Sequence, residues 1–103
     1  MKKRLLIRFR REDEEKLHSA FTSNIGPSGI FVVSANIEEG EVGKSLWLEI
    51  EMPDQSTLLL RGKVVWIRKV PVEIRSMQQN GFAVNLTEAP EQWYHLFMSK
   101  TSS

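Results

Sequence analysis

The 103-residue sequence contains no cysteine. That excludes disulfides and thiolate metal sites, and it suits a reducing compartment, so the expected location is cytoplasmic. Long apolar runs are also missing. Only "LLI" separates the basic start from Arg8, far too short for a signal-peptide core. No run approaches the roughly 20 residues of a membrane span, so no membrane insertion is expected. The net charge is only +1, so bulk charge calls for no polyanionic partner and no DNA. Histidines number two, His18 and His95. There is no paired-histidine metal motif, no glycine-rich phosphate loop opening a helix and no nucleophile elbow. The acidic residues 12–15 are contiguous, so in an extended chain their side chains point apart. They read as a solvated turn rather than an acid/base pair. No enzyme, catalytic residue, metal ligand or cofactor is expected.

What is present is a period of two. In "RLLIRFRR", Leu5, Ile7 and Phe9 share one face and Arg4, Arg8 and Arg10 the other, as in a half-buried strand. The acidic run then makes a hairpin-like connection. "LHSAFTSNI" alternates with Leu17, Phe21 and Ile25 in phase, and "GIFVVSANI" is β-branched and aromatic. "EEGEVGKS" is a turn-rich loop. "LWLEIEM" places Leu46, Leu48, Ile50 and Met52 inward and Trp47, Glu49 and Glu51 outward. "PDQS" is turn chemistry. "TLLLRGKVVWIRKV" is a long strand whose Gly62 predicts a bulge or bend, with Trp66 expected in the core. "PVEIRSMQQN" is a longer connection, and "GFAVNL" is the last strand.

The tail "TEAPEQWYHLFMSK" changes period. Pro90 suits a first helical turn, and Glu88 and Glu91 suit the positive helix start. Trp93, Leu96 and Phe97 form an apolar stripe, which predicts a short helix packing on the sheet or covering one barrel mouth. Short strands with frequent turn signals indicate an all-β antiparallel sandwich or barrel. The length predicts one domain over residues 1–103, with a core from about 5 to 97 and a frayed tail at 99–103.

Two features are candidate contact sites. The first is the polar interruption "SNIGPSG". Asn24 can bond a base edge or its own backbone, and small residues let a ligand approach the main chain. Arginines of the neighbouring strand supply planar forks of donors suited to phosphates and guanine edges. A plain turn also explains these residues, and a solvated strand and turn explain the basic-then-acidic start. The second feature is Trp47, the best candidate for an exposed aromatic contact with a partner.

Taken in order, "NIGPSGIFV", "GEVGKSLWLEIEMPDQSTLLLRGKVVWI" with its Gly62, Val64 and Trp66, "GFAVNL" and the final helix resemble a PilZ domain. More narrowly, the chain is similar to the PilZ-like subgroup of myxobacteria and related delta-proteobacteria. The resemblance implies a six-stranded antiparallel β-barrel with a short C-terminal helix. It also implies a non-enzymatic receptor for cyclic di-GMP, acting through a protein partner in a motility or signalling complex. The family's [D/N]xSxxG motif falls on Asn24, Gly26 and Gly29, with glycine in the serine place and Ser28 two residues on. Its RxxxR motif falls on Arg4 and Arg8. Only residues 1–3 precede Arg4, so these arginines are expected within the first strand rather than on an arm ahead of it. Arg10 and Arg11 are substitutes with the wrong spacing. The implied ligand-binding set is therefore Arg4, Arg8, Arg10, Asn24, Gly26, Ser28 and Gly29. The alternative is a degenerate, nucleotide-independent adaptor that uses Trp47 and an exposed sheet edge. A weaker alternative is a small barrel binding single-stranded nucleic acid, which requires a basic groove interleaved with aromatics. The oligomeric state is left open.

Overall fold

A computed structural model describes residues 1–74 and 79–98. The expected frayed tail and part of the connection after residue 74 lie outside the described residues. Six strands are present: β1 (Leu6–Arg11), β2 (His18–Ile25), β3 (Gly29–Val33), β4 (Ser45–Glu51), β5 (Thr57–Arg68) and β6 (Gly81–Glu88). One helix, α1 (Glu91–Met98), follows. The strands close into a barrel in the order β1-β2-β3-β6-β5-β4, with every neighbour antiparallel. Closure leaves the barrel no free edge. This corrects the expectation of an exposed sheet edge as a partner contact.

Strands without interruption follow the alternation of their sequence. Leu5, Ile7 and Phe9 point inward, as do Leu46, Leu48, Ile50 and Met52. They meet Val32, Leu60, Val64, Phe82 and Val84 in one interior cluster. Burying a side chain of this kind stabilises the fold by about 1.5–3 kcal/mol. Helix α1 begins just after Pro90, whose carbonyl accepts the Trp93 amide at 2.9 Å. Glu88 belongs to the end of β6 rather than to the helix start. Trp93 is fully buried in the interior cluster, and Leu96 and Phe97 pack against it. The stripe is thus core, stapling α1 to the barrel.

Two strands depart from simple alternation. In β2 the register against β3 shifts between Thr22 and Asn24, so Ser23 is an extra residue. Ahead of the bulge Ala20 and Thr22 face inward and Phe21 faces out; beyond it Asn24 faces out and Ile25 faces in. Leu17 and Phe21 are therefore exposed, against the sequence expectation that they share a face with Ile25. In β5 the register against β6 shifts between Val64 and Trp66, so Val65 is the extra residue. Leu58, Leu60 and Val64 face inward before it. Continued alternation would bury Trp66, but the bulge turns Trp66 and Arg68 outward. Trp66 is 49% exposed, which corrects its assignment to the core. A further shift lies beside Gly62, between Arg61 and Gly62, but its extra residue is Thr87 of β6 rather than one in β5.

Candidate functional site

The two bulges face each other across β3 and β6, and the surface between them forms a cleft of about 620 Å³. Cross-strand partners share a face. Asn24 pairs with Phe31, Phe31 with Ala83, and Ala83 with Trp66. A bridge between Lys2 and Asn24 extends this outward-facing row by one more segment. Each end of the row reaches the surface because an extra residue reverses its strand's phase. Without Ser23, Asn24 would point into the barrel; without Val65, Trp66 and Arg68 would.

The motif turn forms one wall. The Gly26 amide donates to the Gly29 carbonyl at 2.8 Å, closing residues 26–29 into a tight turn. The Leu86 amide donates to the Ser28 carbonyl at 2.8 Å and ties that turn to β6. Asn24, Gly26, Ser28 and Gly29 all line the cleft. Among the described residues, neither the Asn24 carboxamide nor the Ser28 hydroxyl makes a hydrogen bond, so both are free for a ligand.

The opposite wall is built from Phe31, Trp66 and Arg68. Phe31 belongs to an outward position, yet it is only 8% exposed, because neighbours cover it. Its ring lies 5.3 Å from that of Trp66, and the Arg68 guanidinium sits 4.5 Å above it. Gly81, the partner of Arg68, makes room: a Cβ there would stand 2.5 Å from the Phe31 ring and 2.4 Å from the Val32 carbonyl oxygen. The motif pattern does not contain Arg68. The signal that marks it is an arginine in phase with the buried Leu58, Leu60 and Val64, which a regular strand would have to bury.

A second cleft of about 460 Å³ adjoins the first at Ser23 and is lined by Lys2, Lys3, Arg4, Phe21 and Gln79, among others. The Arg4 guanidinium lies 4.2 Å over the Phe21 ring. Among the described residues, neither cleft has an acidic residue in its lining. No salt bridge among the described residues engages Lys2, Lys3, Arg4 or Arg68.

The other sequence candidates lie elsewhere. Arg8 lies in β1 and leans toward Glu49 of β4 at 4.0 Å, whereas Arg4 precedes β1 and turns to Phe21 of β2, which corrects its placement within the first strand. Arg10 donates to the Glu14 carbonyl at 3.2 Å and sits 5.7 Å from the Trp47 ring centre. Trp47, 37% exposed, has Arg61 at 5.0 Å on its other side. It borders a groove of about 270 Å³ with Leu17 and Leu59, on the strand opposite β3 in the barrel order.

The acidic turn is more than solvated. The Glu14 carboxylate accepts from Arg11 Nη1 at 3.0 Å and lies 2.9 Å from His18 Nε2. Arg11 also grips Glu41 through Nε and Nη2, and donates to the Asn36 carbonyl. Desolvation pushes Glu14 up, but bonds from the Arg11 amide, the Arg11 guanidinium and His18 outweigh it and hold the carboxyl at about 2. Arg11 likewise holds Glu41 below the usual carboxylate range against desolvation. Arg11 is therefore spent on structure. Among the described residues no group of three or more His, Asp or Glu is placed to hold a metal ion, and no helix is long and apolar enough to cross a membrane.

Comparison with known proteins bears on the same frame. No curated protein sequence matches the chain. Among solved structures it is similar to the Bacillus subtilis inhibitor of motility, MotI/DgrA, with a TM-score of 0.72 and 18% identity. That match covers 100% of this chain and 50% of the other, so the chain spans about half the length of that protein. The similarity shows a shared fold. The sequence family described as "PilZ domain" matches residues 1–92, the whole barrel and the start of its helix, and the chain belongs to the PilZ domain family.

Proposed function

We propose that this domain is a signalling receptor that binds cyclic di-GMP in the cleft beside the 24–29 turn and passes the bound state to a protein partner. PilZ domains are generally non-catalytic binding or adaptor domains, which sets the class. The observation that carries the ligand is the pair of adjoining clefts lined by Lys2, Lys3, Arg4 and Arg68, with no carboxylate among the described lining residues. A cyclic dinucleotide brings two phosphates and two purine faces. The clefts offer unpaired cations for the first, and Trp66 with free Asn24 and Ser28 donors for the second. A degenerate chain of the myxobacterial type would keep the turn and lose the cations; here the RxxxR pair is split, but the cleft is not stripped of positive charge. The name of the B. subtilis relative, an inhibitor of motility, makes a motility assembly the natural setting for the partner.

The adaptor that needs no nucleotide is the second reading. It is favoured by the groove around Trp47, where Leu59 is 64% exposed, far from the motif turn.

Isothermal titration with cyclic di-GMP separates the two. The receptor reading expects binding that Asn24→Ala and Arg4→Ala weaken roughly tenfold or more, since each hydrogen bond to a charged group contributes about 1.5–3 kcal/mol. Arg8→Ala, outside the clefts, is expected to bind as the unaltered chain does. No heat at high micromolar ligand with a folded protein leaves the adaptor.

A further inference from the structure

We infer that Arg68 is a second ligand-binding guanidinium, in the cleft that adjoins Arg4's at Ser23. The inference rests on the receptor reading and names a residue that lies in neither sequence motif.

A ligand with two phosphates spanning the 24–29 turn needs a cation on each side of it. Lys2, Lys3 and Arg4 stand on the β1 side. On the β5 side Arg68 is the charged residue of the cleft lining among the described residues. The Val65 bulge aims it outward, as the last residue of β5. Its partner Gly81 lacks a side chain, and the vacated space holds the Phe31 ring. The guanidinium lies 4.5 Å over that ring, and its Nε donates to the Gln79 carbonyl at 2.9 Å. Two contacts thus fix the head group before a ligand arrives, which lowers the entropy lost on binding. Among the described residues its two Nη groups make no hydrogen bond. They remain as a preset fork for a phosphate or the N7/O6 edge of guanine. A lysine cannot reproduce this, because it offers a point charge without the fork or the flat face.

Titration of the whole chain with cyclic di-GMP tests the inference, with quenching of tryptophan fluorescence, of which Trp66 is the cleft's contributor, as a second readout. Arg68→Ala is expected to weaken binding roughly tenfold to a hundredfold while melting stays unchanged. Arg68→Gln, gentler on the surface, is expected to do the same, and Arg68→Lys to recover part of the loss. Binding by Arg68→Ala and Arg68→Gln equal to the unaltered chain, while Asn24→Ala loses it, overturns the role of Arg68 and leaves the receptor reading intact. Silence of the unaltered chain overturns the receptor reading and Arg68's role with it.

Discussion

At Gly62 the space for a side chain is already taken. A Cβ would stand 2.4 Å from Val84 Cγ1 and 2.7 Å from the Asn85 carbonyl oxygen, on the strand β5 presses against. Gly62→Ala is therefore expected to cost about 1–3 kcal/mol by overpacking, read as a lower urea midpoint at unchanged slope. Arg11 is a residue of the opposite kind, important for what it touches. Its removal leaves Glu41, largely buried, without its cation. Arg11→Ala is expected to destabilise by about 1–3 kcal/mol in chemical denaturation. Glu14 makes the same cluster sensitive to acid. Its folded carboxyl is held at about 2, below its ordinary 4.5. A depressed carboxyl contributes stability that is complete above the unfolded value and is lost as pH falls through the folded one. Thermal stability is expected to decline between about pH 4.5 and pH 2, and Glu14→Gln to flatten that decline. An acid profile identical in the two proteins would refute the link. None of these contacts shows in composition: "REDEE" reads as a solvated turn until His18 and Glu41 are brought beside it.

Among the elements, β1 and β4 were legible because nothing interrupts them. Leu5, Ile7 and Phe9, and Leu46, Leu48 and Ile50, fall inward as their alternation says. Strands β2 and β5 were legible as strands but not in phase. One inserted residue reverses every side chain beyond it, and neither Ser23 nor Val65 is marked by its type. Reading through the bulges put Trp66 in the core and aligned Phe21 with Ile25. It also hid Arg68, which fits the spacing of neither motif and which an unbulged strand would turn inward. The bulge itself can be tested. Val65→Ala, on a half-exposed side chain, is expected to change stability by less than about 0.5 kcal/mol. Deleting Val65 would drive Trp66 and Arg68 inward and Ile67 outward, and is expected to abolish cooperative unfolding. A deletion that folds as well as Val65→Ala would mean that the register tolerates the loss and that the bulge does not place the cleft wall.

For the whole molecule, a closed barrel with its helix stapled by Trp93 leaves the outer surface as the place for recognition. That surface has two unlike regions. The strands β2, β3, β6 and β5 carry the acid-free clefts, and the β4 flank carries Trp47 between two arginines. The division suits a domain that senses on one side and presents a contact on the other. The most direct test is amide NMR of the isotope-labelled chain during titration with cyclic di-GMP. The account predicts saturable shifts concentrated at residues 2–4, 21–31, 66–68 and 81–85, with Arg8, Trp47 and Glu49 nearly still. Shifts centred on β1 and β4 instead, or none at all at millimolar ligand, would contradict it.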